Sequence, residues 1–485
     1  MSPSGNGSRR RRIRRPSRSE RREDVPAAAP DRVSYREVFR GELGRLAVGL
    51  LLLEFVSAVQ VFVTSTILPL VSRELNGGRF YGIALSAGTV ALFVSTPASA
   101  PLSRRFGPRV VLAGAACLHV AGTVISLLAP SMLVFAAGRL VTGLGSGAMF
   151  AIGYATVAEQ FPARLRPRMI ALLTSMWLLP SLIGPSGAAL VATLVGWRWA
   201  LFGTVPPVLL AVALVIGRIR RAPGPPERSS PTTWIGTAVM TCGAVAISVG
   251  GSSSGAVAVV LVCLGAVLAL GGAVWVMPDG TLTGSTPTGA AVGGLLLGIF
   301  AFFGGDSLIT LLVTEGLGRS IAWAAAALSV GGISWSVATL LQPRMLERLD
   351  NRGFPIVAAG AGLVAAGLAL LLLVLGLGNG PYAPMLVMLA WTVGGAGMGL
   401  VYPTLSVSVL LAEGVQPSDA AAALVLAEAL GGTLSIAIGG SLVSLSSTIT
   451  GSFTTGLWLA YSLYTVTAAA VIYYGARAPA RLVQP

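Results

Sequence analysis

The sequence predicts an all-α integral membrane protein with about 14 transmembrane helices, arranged as two pseudo-symmetric six-helix bundles plus an inserted helix pair. Three observations lead to this fold class. The composition is dominated by apolar residues, the apolar stretches are long enough to cross a bilayer, and short motifs repeat between the two halves of the chain.

Composition sets the class of protein. Of the 485 residues, 54% are hydrophobic and 11% are charged, and the mean hydropathy is +0.80. A soluble domain carries about 25% charged residues. The net charge of +15 lies mainly in the N-terminal region and in short loops. This pattern is typical of a membrane-facing protein rather than of a nucleic-acid surface, so we expect no nucleic-acid partner.

Several kinds of chemistry are excluded or disfavoured. The three cysteines each lie within an apolar stretch, so neither a disulfide framework nor a metal site is expected. The chain contains no lysine, which excludes a phosphate-binding loop with a GK[ST] core and therefore an ATP-driven pump. We find no nucleophile–base pair or cofactor loop, so we expect no enzyme activity and no cofactor.

The chain divides where its composition changes. An Arg- and Ser-rich start predicts a disordered tail held at the anionic cytoplasmic leaflet of the bilayer. Apolar stretches of about 20 residues, the length that crosses a bilayer, follow it. The predicted segments are the tail (1–43), a six-helix bundle (44–217), a cytoplasmic linker (218–233), an inserted helix pair (234–277), a second six-helix bundle (289–475) and a C-terminal tail (476–485).

Arginines distinguish the two sides of the membrane. Connections such as RRFGPR (104–109), PARLRPR (162–168) and PRMLERLDNR (343–352) are rich in arginine, whereas loops such as GGSSSG (250–255) are uncharged. Because basic loops stay in the cytoplasm, we place both termini there. We expect a multi-pass protein of the plasma membrane that acts as a monomer.

Internal repetition supports two homologous halves. AVGLLLL at position 47 matches AVGGLLL at 291, a shift of 244 residues, and LSAG at 85 matches LSVG at 328, a shift of 243. GLGSG at 143 matches GAGMG at 395, a shift of 252. The three shifts are similar and occur in the same order, and glycines at this spacing let helices approach closely.

Three stretches resemble a known family, the major facilitator superfamily, and within it the fourteen-span drug/proton antiporters. PLSRRFGPRVVL resembles the family's loop signature, with Arg105, Gly107 and Arg109 in register. GRLVTGLGSGAMF resembles the signature that opens with a membrane-buried arginine, here Arg139. PSLIGPSGAAL, followed by GWRWALFGTVPP, resembles the antiporter signature and its Trp-rich turn. The resemblance covers nearly the whole chain after the tail.

The resemblance implies a secondary active transporter. Such a protein would export amphipathic small molecules, drugs or secondary metabolites, in exchange for protons by alternating access. An importer of sugars or organic anions is an alternative, which the antiporter signature disfavours. A membrane sensor or scaffold that transports nothing, with the basic tail as its output, is a second alternative.

Two positions depart from the family pattern. Arg104 stands where the loop signature carries an acid. Gln60 stands where the first helix of these exporters carries an aspartate, nine residues before Pro69. The usual coupling carboxylate is therefore absent from its usual place.

Glu54 is the first candidate for that role. A charge inside the membrane costs about 2.5 to 3.5 kcal/mol on insertion scales and is a functional candidate by default. Ser57 and Thr64 lie on the same side of the predicted helix, and with Gln60 they predict a polar cavity surface. We hypothesise that Glu54 binds the coupling proton and that Arg139 reaches toward it. The alternative is a structural ion pair or a protonated carboxyl hydrogen-bonded between helices.

Two further acids lie in predicted helices of the second half. Phe302, Phe303 and Thr310 share a face with Asp306, and aromatic rings beside an acid suit a lipophilic cation. Those phenylalanines could instead be core or lipid-facing residues. We assign Trp391 to the same substrate cavity. Gly and Ala surround Glu428, so we expect it to serve as a gate or a structural hydrogen bond.

The remaining candidates concern gating. Gly184 and Pro185 predict a kink in the fifth helix, which the resemblance makes a seal between the halves, and Gly187 follows at the signature's spacing. Arg105, Arg109 and Glu159 belong to a predicted cytoplasmic cluster. That cluster is either a latch that breaks when the inner gate opens or a positive-inside anchor. His119 is either a proton relay or a packing residue.

Overall fold

The computed structural model describes residues 35–76, 80–219, 231–251, 253, 255–412 and 414–479. Within these ranges, 14 helices are long and apolar enough to cross a membrane. The predicted fold class is therefore confirmed. The prediction of a disordered tail over residues 1–34 lies outside the described residues, as do linker residues 220–230.

The described structure begins earlier than the sequence predicts. Helix α1 (Tyr35–Val38) and the start of α2 (Gly41–Glu74) occupy positions that we assigned to the tail. The Tyr35 hydroxyl donates a hydrogen bond of 2.7 Å to the backbone oxygen of Leu340, and the side chain of Val38 is fully buried. These long-range contacts order a segment whose composition alone indicates disorder.

The first bundle contains six membrane spans, of which the fifth and the sixth are each built from two helices. At 1.5 Å per residue, the 34-residue α2 is about 51 Å long and exceeds the hydrocarbon thickness of about 30 Å. The helices after α2 are α3 (Tyr81–Phe106), α4 (Pro108–Leu127), α5 (Met132–Gln160), α6 (Arg166–Ser175), α7 (Leu178–Leu194), α8 (Trp197–Phe202) and α9 (Val205–Ile216).

A closely packed helix pair comes next, α10 (Pro231–Gly251) and α11 (Gly255–Val276). A Cβ atom on Gly243 of α10 would lie 2.6 Å from the backbone oxygen of Gly265 on α11. Only residues without side chains permit so close an approach. Helix α10 packs against α3 of the first bundle and also against the helix Pro417–Thr450 of the second bundle.

The second bundle contains the last six spans. Its helices pack mainly against one another, and α13 also contacts α6 and α7 of the first bundle. They are α12 (Pro287–Leu311), α13 (Ile321–Arg348), α14 (Phe354–Leu377), α15 (Ala383–Leu410), α16 (Pro417–Thr450) and α17 (Phe453–Arg477).

The repeat found in the sequence has a structural counterpart. A Cβ atom on Gly143 of α5 would collide with the backbone oxygen of Gly88 on α3. In the second bundle, a Cβ atom on Gly395 of α15 would collide with the backbone oxygen of Gly331 on α13. These are the glycines that the shifts of 252 and 243 residues pair. The same two helices therefore cross at the same glycines in both halves.

The fifth span breaks at a different place from the predicted kink. Helix α6 ends at Ser175 and α7 begins at Leu178, and α7 runs through Gly184 and Pro185. Pro180 explains the break, because it has no N–H to donate to the backbone oxygen of residue 176, four positions earlier. The break turns Trp177 into the bundle, and the kink at Gly184–Pro185 stays a prediction.

Candidate functional site

Glu54 lies in the interior of the first bundle, where it accepts a hydrogen bond. Its side chain is 7% exposed, and the indole Nε1 of Trp177 donates to its Oε1 over 2.8 Å. Trp177 can reach the carboxylate because the break in the fifth span places it between α6 and α7. A buried carboxylate is thus held by one neutral donor rather than by a cation.

A small cavity adjoins Glu54. Its volume is about 10 Å³, which is enough for about one water molecule. Ser57 of α2 and Tyr154 of α5 also line it. The Ser57 hydroxyl itself donates to the backbone oxygen of Leu53 over 2.8 Å. The predicted polar surface around Glu54 is therefore present at Ser57.

Two other predicted cavity residues of α2 are buried without partners. The amide nitrogen and oxygen of Gln60 and the hydroxyl of Thr64 make no hydrogen bond within the described chain. Their side chains are 4% and 3% exposed, respectively. Buried polar atoms are seldom left unsatisfied. These two side chains can therefore receive a polar group that enters the bundle.

Arg139 does not reach Glu54. Its Nη2 atom lies 3.5 Å from the Cβ position of Gly88 on the neighbouring helix α3. The buried Nε and Nη1 atoms have no hydrogen-bond partner in the described part of the chain. The expected contact with Glu54 is therefore not made in this conformation, because the Arg139 side chain packs against α3 instead.

Asp306 lies in the second bundle within a group of aromatic rings. The indole Nε1 of Trp391 donates to its Oδ1 over 2.9 Å, as Trp177 does to Glu54. Phe302 stacks on Trp391 with 4.8 Å between ring centroids, and these two side chains are 3% and 1% exposed. Phe302 and Trp391, which were predicted to line a cavity, pack against each other and are buried in this conformation.

Trp335 and Phe303 form the outer part of this aromatic cluster. The Trp335 ring lies 5.0 Å from Phe302 and 5.8 Å from Phe303, measured between centroids. The indole N–H of Trp335 is buried without a partner among the described residues. Thr310, one turn beyond Asp306, is partly exposed. Trp335 offers a donor and an aromatic edge that the sequence analysis did not single out.

Glu428 joins the two bundles through two tyrosines. The hydroxyl of Tyr402 on α15 donates a short hydrogen bond to Glu428 Oε1 on α16. The hydroxyl of Tyr154 on α5, in the first bundle, lies 3.1 Å from the Tyr402 hydroxyl. The predicted structural hydrogen bond of Glu428 is therefore part of a contact between the halves.

His119 has one partner in the structure. Its Nδ1 atom lies 3.0 Å from the Ser146 hydroxyl, its Nε2 atom has no partner within the described residues, and the side chain is 1% exposed. A Cβ atom on Gly145 would also press on the His119 backbone. This environment favours the packing role over a proton relay.

We define the arginine-rich face as the end of the molecule where α2 begins and α3 ends. Two ion pairs join the bundles there. Arg104 Nη1 lies 2.9 Å from Asp419 Oδ1, and Arg168 pairs with Glu347. The arginine that replaces the family's acid is therefore balanced by an acid from the opposite bundle. Glu159, a member of the predicted cytoplasmic cluster, is exposed and makes none of the ion pairs found among the described residues.

Residues of the loop signature between α3 and α4 shape the turn and hold the neighbouring helix end. Gly107 adopts φ +89°, a conformation that favours glycine and turns the chain between the two helices. Arg109 donates to the backbone oxygens of Ile219 and Gly217 over 2.7 and 3.2 Å, which holds the end of α9. The Arg105 guanidinium lies 5.1 Å from the ring centroid of Phe106.

The antiporter signature lies on α7. A Cβ atom on Gly184 would lie 3.2 Å from Cβ of Phe62 on α2, so this glycine permits close packing of the two helices. Gly187 faces open space. Its place in the signature therefore has no packing explanation in this conformation.

Two repeat-related helix bundles, each with a hydrogen-bonded carboxylate among its helices, have the architecture of a secondary transporter. The chain belongs to the Major Facilitator Superfamily, whose family model matches residues 50–440. The resemblance seen in the signatures is confirmed at the level of the family.

Curated relatives agree with this family. A protein named "Probable multidrug-efflux transporter", from Mycobacterium tuberculosis, is 27% identical over 461 residues, which cover 89% of this chain and 94% of the relative. The "Multidrug efflux pump SdrM" of Staphylococcus aureus is 25% identical over 169 residues, 35% of this chain and 38% of that protein.

Solved structures share the fold. The human organic anion transporter TETRAN superposes with a TM-score of 0.63 at 14% identity, covering 89% of this chain and 99% of that one. The proton:xylose symporter XylE superposes with a TM-score of 0.60 at 16% identity, covering 89% of this chain and 94% of that one.

Proposed function

We propose that the protein is a proton-coupled exporter of amphipathic small molecules that works by alternating access. It belongs to a transporter family, and the relative that it matches over most of its length is named a multidrug-efflux transporter. We further propose that it acts as a monomer in the plasma membrane. The arginine-rich face would lie against the anionic cytoplasmic leaflet, with both termini on that side.

The observation that carries this proposal is the environment of Glu54. A carboxylate that is 7% exposed and has no cationic partner among the described residues is costly to keep charged inside a bilayer. Binding a proton removes that cost, and the adjoining cavity accommodates about one water molecule that can hand the proton over. Glu54 therefore supplies the coupling carboxylate that Gln60 cannot.

Asp306 and its aromatic cluster form the proposed substrate surface. Phe303 and Trp335 offer ring faces and edges, and Thr310 and the unpartnered Trp335 N–H offer polar contacts. Acids beside aromatic rings attract organic cations. We expect the stacked pair of Phe302 and Trp391 to open when substrate binds.

Arg139 favours a second candidate function, the transport of organic anions. Two of its buried guanidinium nitrogens have no partner in the described chain, and a guanidinium pairs well with carboxylates and phosphates. Substrate charge is therefore the property to test together with coupling.

The test uses purified full-length protein in liposomes under an imposed pH gradient. Movement of ethidium, a lipophilic cation, and of carboxyfluorescein, an anion, is followed for the wild type and for Glu54→Gln. Glu159→Gln is the matched control, because it removes an exposed carboxylate instead of a buried one. We expect gradient-driven ethidium movement that Glu54→Gln abolishes and Glu159→Gln keeps.

Other outcomes would overturn specific parts of the proposal. Full gradient-driven transport by Glu54→Gln would make Glu54 a structural residue. Movement of carboxyfluorescein alone would favour the anion transporter. Movement of neither probe by the wild type would overturn the exporter proposal and favour a membrane sensor.

A further inference from the structure

Buried hydroxyls of the two bundles meet at the contact between Tyr154 and Tyr402, near the buried Glu54 and the half-buried Glu428. Tyr154 lies on α5 of the first bundle and Tyr402 on α15 of the second, and their side chains are 2% and 5% exposed. Neither tyrosine belongs to a motif that the family resemblance uses. A hydroxyl pair at a moving interface needs a reason to be there, since apolar residues would pack equally well.

The direction of the hydrogen bonds follows from proton counting. A tyrosine hydroxyl carries one proton, and Tyr402 donates its proton to Glu428 Oε1. The 3.1 Å contact between the two hydroxyls can then be a hydrogen bond only if Tyr154 donates and Tyr402 accepts. The oxygen of Tyr154 is left free to accept a proton. The chain of donors therefore points from Tyr154 toward Glu428.

Glu54 lies beside Tyr154, the tyrosine whose oxygen is free to accept a proton. Tyr154 and Glu54 line the same cavity, whose volume of about 10 Å³ accommodates about one water molecule. The titratable groups that connect to Glu428 are Tyr402 by direct contact and Tyr154 through Tyr402, and Glu54 adjoins Tyr154 at the cavity.

We propose that Glu428 is a second coupling carboxylate, which receives a proton from Glu54 through Tyr154 and Tyr402. This proposal rests on the proposed proton-coupled function. Glu54 gives its proton to a water molecule, the water gives one to Tyr154, Tyr154 gives its own to Tyr402, and Tyr402 gives its own to Glu428. Each intermediate gains one proton and loses one, so the net change is a proton moved from Glu54 to Glu428.

The position of the relay makes it sensitive to the transport cycle. The ion pairs between Arg104 and Asp419 and between Arg168 and Glu347 hold the bundles together at the arginine-rich face in this conformation. Tyr154 and Tyr402 belong to different bundles, so opening that face separates them. A proton transferred while the face is closed is then trapped on Glu428 and released when the face opens. The separated relay cannot leak protons.

The experiment compares Tyr154→Phe, Tyr402→Phe and Glu428→Gln with the wild type. Each protein is tested in liposomes for ethidium movement driven by a pH gradient and for ethidium exchange without a gradient. Proton release on ethidium binding is measured separately with a pH-sensitive dye. Tyr464→Phe is the matched control, because it removes a buried tyrosine hydroxyl that donates to the backbone oxygen of Ser435 over 2.6 Å.

We expect the three relay variants to lose gradient-driven movement by about tenfold or more, since proton-transfer groups contribute about 10² to 10⁴-fold. Ethidium exchange without a gradient should remain. A folding defect, by contrast, would abolish this exchange as well as the gradient-driven movement. Tyr464→Phe should keep both activities. We also expect Glu428→Gln to release fewer protons per ethidium bound than the wild type.

Two results would overturn the relay. Unchanged gradient-driven movement in all three variants would refute it while leaving the exporter proposal intact. Equal loss of both activities in Tyr154→Phe and Tyr464→Phe would assign the hydroxyls to packing alone. A wild type that moves no probe under the gradient would overturn the exporter proposal and this one together.

Discussion

The ion pair between Arg104 and Asp419 predicts how strongly the arginine-rich face is held closed. Arg104 Nη1 lies 2.9 and 3.1 Å from the two carboxylate oxygens. The side chains are 18% and 44% exposed, so water screens the pair in part. Such a pair contributes about 1 kcal/mol, at the upper end of the range for exposed pairs. Because the pair exists only when the bundles meet, we expect Arg104→Ala to raise the population of the open state about fivefold.

The assay measures a distance across that face by electron paramagnetic resonance. Spin labels at Phe106 and Leu349 are suitable, because these side chains are 48% and 37% exposed and belong to different bundles. The three native cysteines are exposed and must be replaced first. Arg104→Ala and Asp419→Ala should each enlarge the fraction of long distances.

The exchanged pair, Arg104→Asp with Asp419→Arg, is the decisive control. It should restore the short distance only in part, because Asp419 lies in the first turn of α16, where the helix dipole favours an anion by about 0.3 to 1 kcal/mol. Identical distance distributions in the wild type and both alanine variants would refute the reasoning. Strictly additive effects of the two alanine substitutions would refute it too.

Three further predictions concern other parts of the molecule. Trp177→Phe removes the hydrogen-bond donor to Glu54. It should reduce gradient-driven transport in liposomes and lower the free energy of unfolding in detergent by about 1 to 3 kcal/mol. Unchanged transport and unchanged stability would contradict this prediction. Gly143→Ala should lower that free energy by about 1 to 3 kcal/mol, because the added methyl group meets the backbone of α3, whereas Gly114→Ala, which faces open space, should not. Burial raises the pKa of Tyr35, outside the membrane spans, from 10.0 to about 12. Because the folded state holds the Tyr35 proton more tightly than the unfolded state does, the stability that Tyr35 contributes is full below pH 10 and is lost as the pH rises toward 12. A difference titration of the wild type against Tyr35→Phe should therefore show Tyr35 ionising well above an ordinary tyrosine.

Much of the fold could be predicted because its determinants are local. The length and hydropathy of each apolar stretch predicted the membrane spans. The repeat could be predicted from Gly88, Gly143, Gly331 and Gly395, because close helix crossings require glycine at fixed positions. The break between α6 and α7 was not predicted. Pro180 and Pro185 each deprive the span of one backbone hydrogen bond, and the sequence alone did not show that the helix ends beside the first of them.

The repeat also shows that equivalent positions in the two halves carry different side chains, which the motifs alone did not reveal. The shift of 252 residues that pairs Gly143 with Gly395 also pairs Arg139 with Trp391. Both side chains pack against the glycine of the crossing helix, Gly88 or Gly331. The first half therefore presents a guanidinium where the second presents an indole bound to Asp306. The two bundles therefore share the helix crossing and differ in the side chain that packs against it.

The sequence by itself determined the membrane class, the spans, the two homologous halves and the three acids within the spans, since each of these depends on the composition or spacing of nearby residues. Only the tertiary structure decided the partners of the acids. Trp177 is 123 residues from Glu54, and Tyr154 is 248 residues from Tyr402. Whether such side chains meet depends on the rotation and axial position of whole helices relative to one another. Those are set by packing across the bundles, which local sequence patterns do not encode.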